Sequence, residues 1–192
     1  ILICNPYYQA YIGAALATGA EPVFLNATER TGHLPDLDAL EGDRDLLERT
    51  VAFYLCSPAN PQGAVASRAY VERALGLARR YDFMLFFDEC YSELYNDEAP
   101  VGGLEVAAST PERFANIVVF NSLSKRSNLP GLRSGFCAGD AKFLEILAEV
   151  RNLVGPTMAG PIQHASAAAW SEDGHVAANR MAYRKKFDVC DE

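Results

Sequence analysis

The sequence predicts an α/β fold in which a mostly parallel sheet carries helices on both faces. Short apolar runs typical of buried strands alternate with stretches whose apolar residues recur at helical spacing, and this alternation favours a parallel sheet. Val51–Cys56 is almost entirely apolar, as expected of a strand that is covered on both faces. The 192 residues are enough to form one sizeable core.

The first part of the chain contains two predicted strands and two predicted helices. Ile1–Cys4 is a short apolar run, and the helical stretch Tyr8–Thr18 that follows it stops at Gly19. Glu21–Leu25 is predicted as the second strand. Pro35–Arg49 is predicted as one helix, because its leucines recur at roughly helical spacing.

The middle of the chain continues the alternation after Val51–Cys56. Ser67 is a helix N-cap residue, and the apolar positions after it keep the helical period as far as Tyr81. Phe83–Phe87 is a further buried strand. Ile117–Phe120 and Ser134–Ala138 complete the predicted sheet.

The last third of the chain contains only helical patterns. The predicted helices are Ala141–Val154, Pro161–Trp170 and Gly174–Phe187. Pro156 and Pro161 bracket a break between the first two. We therefore expect residues 1–155 to be part of a domain whose N-terminal segment precedes this chain. We expect residues 156–192 to be a helical continuation towards a small C-terminal domain beyond it.

Charge and cysteine content exclude several classes of protein. The net charge of −8 argues against a nucleic-acid surface or an anionic-membrane surface, because both favour basic patches. No apolar run approaches the roughly 20 residues that a membrane span requires. The five cysteines are odd in number and widely spaced, without a metal-ligand pattern. They are predicted to be reduced and structural, in a cytoplasmic protein without a metal site.

Chemically distinct side chains follow four of the predicted strands. Tyr8 follows the first, Asn60 the third, Asp88 and Tyr91 the fourth, and Lys125 the fifth. Ligands of open α/β sheets gather beyond the carboxyl ends of the strands. The sequence therefore predicts one rim that combines an aromatic ring, an amide, a carboxylate with a phenol, and an amine.

Lys125 lies in a motif suited to a covalently held, phosphate-bearing cofactor. Ser122 and Ser124 precede it, and Arg133 follows eight positions later. An amine can form a Schiff base with an aldehyde, while hydroxyls and a guanidinium can hold a phosphate. The whole rim suits a flat ring that carries a nitrogen, a phenolic oxygen, an aldehyde and a phosphate. Pyridoxal 5′-phosphate has these groups.

Each residue of the rim also has a structural interpretation. Asp88 could cap the turn after its strand, and Asn60 between prolines is a common turn former. Tyr8 and Tyr91 could be ordinary packing residues. The loop around Lys125 could be a solvated surface segment. The cofactor interpretation is favoured only because all of these residues follow strand ends.

Four motifs, in their order along the chain, carry a family resemblance. NPYY, SPANPQG, DECYSELY and SLSKRSNLPGLRSGF resemble the large domain of class I/II pyridoxal-phosphate-dependent aminotransferases, which have the aspartate aminotransferase fold. The resemblance covers essentially the whole chain. DECYSELY, SLSKRSNLPGLRSGFCAGD and QHASAAAW most resemble bacterial N-succinyldiaminopimelate aminotransferases, which act in the biosynthesis of diaminopimelate and lysine.

The resemblance implies a role for each residue of the rim. Lys125 would form the Schiff base and shuttle a proton, and Asp88 would pair with the pyridine nitrogen. The remaining implied contacts are Tyr8 stacked on the ring, Asn60 and Tyr91 on its phenolic oxygen, and Ser122, Ser124 and Arg133 on the phosphate.

The resemblance also implies a reaction and an assembly. An amino acid, with N-succinyl-LL-2,6-diaminopimelate as the expected substrate, would be transaminated with 2-oxoglutarate and glutamate as the partner pair, in a cytoplasmic bacterial homodimer. The family's glycine-led phosphate-binding helix and its substrate-carboxylate arginine are expected outside residues 1–192. These residues alone are therefore expected to be inactive.

Two alternatives stay open at this point. The same fold and lysine serve other pyridoxal-phosphate reactions, such as those of C–S β-lyases, because the ring stabilises any carbanion next to the imine. Relatives of this domain also serve as non-catalytic effector-binding modules.

Overall fold

A single six-stranded sheet organises the part of the chain that the structure, a computed structural model, describes, namely residues 1–155 and 157–190. The strands are β1 (Leu2–Asn5), β2 (Val23–Asn26), β3 (Ala52–Cys56), β4 (Met84–Asp88), β5 (Ile117–Ser122) and β6 (Gly135–Gly139). Their order across the sheet is β2-β1-β3-β4-β5-β6. Every neighbouring pair is parallel except β5 and β6. The predicted fold class is confirmed.

Helices connect the strands and follow the last one. They are α1 (Gln9–Ala17), α2 (Leu37–Gly42), α3 (Arg44–Glu48), α4 (Arg68–Arg80), α5 (Gly103–Ala108), α6 (Leu123–Arg126), α7 (Ala141–Val154), α8 (Gly160–Trp170) and α9 (Gly174–Cys190). Short 3₁₀ helices span Glu29–Thr31 and Pro130–Leu132.

The main hydrophobic core lies on one face of the sheet. Side chains alternate between the two faces of a strand, so every second residue of β3, β4 and β5 points to this side. The strand residues that are almost fully buried here include Phe53, Leu55, Leu85, Phe87, Ile117 and Val119. They pack against apolar residues of α4 and α5, among them Val71, Leu75 and Val106.

The opposite face carries a row of aromatic rings. Tyr54 of β3 stacks on Tyr11 of α1, with ring centroids 4.6 Å apart and an interplanar angle of 11°. Phe86 of β4 contacts Phe143 of α7, with centroids 5.2 Å apart. Helices therefore cover both faces, as the sequence predicts.

The prediction of one helix over Pro35–Arg49 is wrong. Two helices, α2 and α3, replace it, because Asp36 and Asp43 each begin a helix. The Asp36 carboxylate accepts hydrogen bonds from the N–H groups of Asp38 and Ala39, and that of Asp43 accepts from Leu46. Such capping favours a new helix start over continuation, and Asp43 has non-helical dihedral angles (φ −105°, ψ 77°).

The other differences between the predicted and observed elements are smaller. The strand predicted over Glu21–Leu25 begins two residues later, at Val23, directly after Pro22. The sequence pattern did not predict α5, which is only six residues long. A break is predicted between Pro156 and Pro161. Pro156 itself lies outside the described residues, but α7 ends at Val154 and α8 begins at Gly160. The division into residues 1–155 and 156–192 stays a prediction.

The cysteines are free, and two of them are buried within the sheet. Burial raises the pKa of the Cys4 thiol to about 11 and that of the Cys56 thiol to about 12, so both are neutral near pH 7. Within the described ranges, no group of three or more His, Cys, Asp or Glu residues could hold a metal ion. No helix there is both long enough and apolar enough to cross a membrane.

Candidate active site

A cavity of about 320 Å³ opens at the carboxyl ends of the parallel strands. The chain leaves β1 towards β2 on one side of the sheet and later returns as β3 on the other side of β1, which makes this edge a topological switch point. All eight residues predicted for the site line the cavity, namely Tyr8, Asn60, Asp88, Tyr91, Ser122, Ser124, Lys125 and Arg133.

Asp88, the last residue of β4, is held by hydrogen bonds at both carboxylate oxygens. Oδ1 accepts from the backbone N–H of Cys90 at 3.0 Å, and Oδ2 accepts from the Tyr11 hydroxyl at 2.5 Å. Tyr11 is buried, and burial, reinforced by nearby Cys56 and Asp88, raises the pKa of its phenol far above the ordinary value. Tyr11 therefore stays a neutral donor, and the orientation of the Asp88 carboxylate is fixed.

Lys125 lies on the single helical turn α6, which begins directly after β5. The Ser122 hydroxyl accepts a hydrogen bond from the N–H of Ser124 and thereby caps the turn. The hydroxyl oxygens of Ser122 and Ser124 lie 2.9 Å apart, and fully buried Leu123 anchors the turn in the core. The Lys125 amine lies 5.6 Å from the ring centroid of Tyr91, so the amine and the phenol face the same space.

Arg133 adds a cation to the lining of the cavity. It follows the 3₁₀ helix Pro130–Leu132 in a left-handed conformation, with φ of 51°. Its guanidinium donates one hydrogen bond, to the carbonyl of Pro130 at 3.0 Å. No carboxylate from residues 1–155 or 157–190 pairs with it. Arg133 lines the same cavity as the Ser122 and Ser124 hydroxyls, and its remaining N–H groups suit an anion with several oxygens.

Asn60 and Tyr8 complete the walls of the cavity. Asn60 lies in a turn after β3 that is braced by hydrogen bonds from Gly63 N–H to Ala59 O (2.7 Å) and from Ala59 N–H to Ala64 O (2.8 Å). Tyr8 precedes α1 and is 48% exposed, with its ring edge-on to that of Tyr11 at 5.7 Å. An exposed ring beside a cavity can stack on a flat ligand.

Four further cavity residues were not predicted, namely Tyr11, Cys56, Cys90 and Pro130. Tyr11 has a signal in the sequence, since it lies three residues after Tyr8 on a helix and so on the same face. Cys56 and Cys90 could also have been predicted to line the cavity, because Cys56 ends β3 and Cys90 lies two residues after Asp88. Burial, followed by the Asp88 charge, raises the pKa of Cys90 well above the ordinary value.

The fold and the site define a class of protein: an open α/β domain with a lysine, a carboxylate, two serine hydroxyls and a guanidinium at its switch point. A sequence model of the family Aminotransferase class I and II matches residues 1–192, and the chain belongs to this family. The family predicted from the four motifs is therefore confirmed.

Three individual relatives show which members of the family this chain is similar to. The crystal structure of an aminotransferase from Neisseria meningitidis Z2491 is 40% identical with a TM-score of 0.91, over 97% of this chain and 47% of that one. An LL-diaminopimelate aminotransferase from Nitratidesulfovibrio vulgaris is 32% identical, over 98% of this chain and 48% of its own length. A probable N-succinyldiaminopimelate aminotransferase from Thermus thermophilus is 28% identical with a TM-score of 0.83, over 96% of this chain and 48% of that one. The chain spans about half the length of the curated relatives that it matches.

Aminotransferases of this family depend on pyridoxal phosphate, as the sequence predicts. The groups on the cavity wall fit that cofactor chemically. One amine, one fixed carboxylate, and a cluster of two hydroxyls with a guanidinium meet there. They match an aldehyde, a basic ring nitrogen and a phosphate respectively. The cavity volume also lies at the small end of the range of about 300–1,000 Å³ for ligand sites.

We expect Tyr11→Phe to lower both stability and turnover. The change removes the hydrogen bond to the Asp88 carboxylate, and a bond to a charged group contributes about 1.5–3 kcal/mol. We expect the free energy of unfolding, measured by urea denaturation, to fall by an amount in this range. Tyr81→Phe is the matched control, since the Tyr81 hydroxyl makes no hydrogen bond within the described residues. Equal stability of the two variants would show that the Tyr11 contact contributes nothing.

Proposed function

We propose that the intact protein is a pyridoxal-phosphate-dependent aminotransferase that acts on an amino acid of the diaminopimelate type. One observation carries the proposal, namely the meeting of Lys125, Asp88 and the Ser122–Ser124–Arg133 cluster on one cavity. Each member has a complementary group on the family's cofactor. No other cofactor chemistry is needed to account for the set.

The cofactor, when bound, supplies an electron-withdrawing ring that stabilises negative charge on the substrate carbon next to the amino nitrogen. Lys125 would hold it covalently through Nζ. Ser122, Ser124 and Arg133 would hold its phosphate, and Asn60 and Tyr91 its phenolic oxygen.

Two residues would then act during the reaction. Once an amino-acid substrate had displaced it, the Lys125 amine would accept a proton at Nζ and return it to a neighbouring carbon. The Asp88 carboxylate, held by Tyr11 and the Cys90 N–H, would favour a proton on the ring nitrogen, because opposite charges favour each other's charged forms. Tyr8 would cover one face of the ring and limit contact with water.

The relatives support the substrate class. Curated relatives that are 30–32% identical are LL-diaminopimelate aminotransferases, whereas the Thermus relative is a probable N-succinyldiaminopimelate aminotransferase. We propose N-succinyl-LL-2,6-diaminopimelate as the amino donor, with 2-oxoglutarate as the acceptor, in a homodimer. The free LL-diaminopimelate is the second candidate, which the curated relatives favour.

Cofactor chemistry and substrate preference are tested in that order. The intact protein is mixed with pyridoxal phosphate, reduced with borohydride and digested, and we expect a pyridoxyl label on Lys125. Both diaminopimelate forms are then offered with 2-oxoglutarate, and glutamate formation is measured. We expect higher kcat/KM for the succinylated form. The reverse preference would overturn the substrate proposal but not the reaction.

The assay also separates the alternative reactions. Release of ammonia and pyruvate from a sulfur amino acid, without glutamate, would indicate a C–S β-lyase. Tight binding of an amino acid without any turnover would indicate an effector-binding module. Parallel assays of residues 1–192 alone test the expectation that this portion is inactive.

A further inference from the structure

Helix α6 cannot satisfy its own carbonyl groups, and this affects Lys125 directly. The last carbonyls of any helix lack partners within the helix, and α6 has only four residues. The N–H of Leu129, which would bond Lys125 O in a longer helix, bonds Leu123 O instead at 3.1 Å. The side chain of Asn179 on α9 supplies the missing donor. Its Nδ2 lies 3.0 Å from Lys125 O and 3.4 Å from Arg126 O.

The next residue of α9 holds the other loop of the site. Arg180 donates from Nε to the backbone carbonyl of Glu93 at 3.0 Å and also pairs with the Glu93 carboxylate. Its guanidinium lies 3.9 Å from the ring centroid of Tyr95. Glu93 and Tyr95 belong to the loop that carries Tyr91. Two consecutive residues of α9 thus contact the Lys125 turn and the Tyr91 loop.

Arg126, the last residue of α6, forms a second set of contacts between the Lys125 turn and the junction of α8 and α9. This guanidinium is buried, and it donates to Asp173 Oδ1 at 2.5 Å and to Ala169 O, at the end of α8, at 2.9 Å. It also lies 5.0 Å from the ring centroid of Trp170. A cation at the carboxyl end of a helix is favourable.

Ser127 and His175 add a third contact between the junction and this segment. His175 Nε2 lies 2.8 Å from Ser127 Oγ, and Nδ1 lies 2.7 Å from Glu172 Oε2. The order Ser–His–Glu matches that of a hydrolytic triad. However, Ser127 is buried, and Arg126 donates to its oxygen at 3.2 Å. The oxygen is not presented to a substrate, so the contact has a positioning role.

We propose that Asn179 and Arg180 are positioning residues that set the Lys125 amine relative to Tyr91. The two loops leave the adjacent strands β4 and β5, and helix α9 joins them again beyond the strand ends. This inference rests on the proposed function for its effect on turnover. The hydrogen bonds of Asn179 and Arg180 to the two loops do not depend on the cofactor.

The test uses Asn179→Ala in the intact protein. A misplacement of about 1 Å can cost about 100-fold in rate, so we expect kcat to fall by roughly 10- to 100-fold with little change in KM. As a readout without cofactor, the protein is trace-labelled with acetic anhydride. The ratio of label on Lys125 to label on Lys185, measured by mass spectrometry, should rise because Lys125 is less confined.

Asn152→Ala is the matched control, because Asn152 is exposed on α7 and makes no side-chain hydrogen bond within the described residues. It should leave kcat and the labelling ratio unchanged. If Asn179→Ala does not fold, Arg180→Lys replaces it. That change keeps the charge but loses the paired donation to Glu93, and it should shift both readouts in the same direction. Wild-type values of kcat and of the labelling ratio in the folded variant would overturn the proposal.

Failure of the proposed function would be distinguishable from failure of this inference. A wild-type protein that takes no pyridoxyl label on Lys125 would contradict the cofactor assignment. The acetylation ratio would still report whether Asn179 confines Lys125. Conversely, normal cofactor labelling with an unchanged acetylation ratio in Asn179→Ala would contradict only the positioning role.

Discussion

Lys125→Ala is expected to lower transamination by the intact protein by about 10⁴-fold, the upper end of what one positioned proton-transfer group contributes. The variant would lose the one amine that is proposed both to hold the cofactor and to move the proton. Because Lys125 makes no ion pair within the described residues, its removal should leave the fold intact. Steady-state glutamate formation measures the loss, and thermal unfolding followed by circular dichroism checks the fold.

Two further variants sharpen this prediction. Lys125→Arg places a guanidinium beside Tyr91, but a guanidinium stays protonated and cannot serve as the amine. It should therefore be as inactive as Lys125→Ala. Lys185→Ala, at an exposed position of α9, should keep wild-type turnover. A pyridoxyl label on a lysine other than Lys125, or wild-type turnover of Lys125→Ala, would contradict the assignment.

The sheet could be predicted from the sequence because its strands are short apolar runs with little competing signal. Val51–Cys56 and Phe83–Phe87 contribute residues to the core. Their apolar character and short length together predict buried strands. Helix ends follow a different rule. The split between α2 and α3 depends on where the Asp43 side chain bonds, and a leucine periodicity does not report that local competition.

The site could be predicted as far as it depends on strand order. Parallel strands end at one edge of the sheet, so residues after β1, β3, β4 and β5 meet whatever the details of packing. Contacts across the sheet could not be predicted this way. Tyr11 reaches Asp88 across 77 positions of sequence, and Asn179 reaches Lys125 across 54. Both contacts depend on how a helix packs against distant parts of the chain. The local sequence pattern does not predict that packing.

Replacing Asp88 is the second change that we expect to abolish nearly all turnover. Without it the ring nitrogen of the cofactor holds its proton less tightly, and an opposite charge at close range is worth about 1–3 pKa units, or up to about 1,000-fold. Asp88→Asn isolates this charge, since the amide oxygen can still accept from Tyr11 or from the Cys90 N–H. We expect kcat to fall by up to that factor while the pyridoxyl label still forms on Lys125.

Comparison of Asp88→Asn with Asp88→Ala separates charge from orientation. Alanine also removes the acceptor for Tyr11, so it should lose the stability attributed to that contact as well as the turnover. Asp45→Asn, an exposed change on α3, should alter neither property. If Asp88→Asn turned over at the wild-type rate, the carboxylate would have no electrostatic role, and its hydrogen bonds to Tyr11 and Cys90 would be purely structural. If both Asp88 variants lose turnover alike but only alanine loses stability, the charge is what the reaction requires.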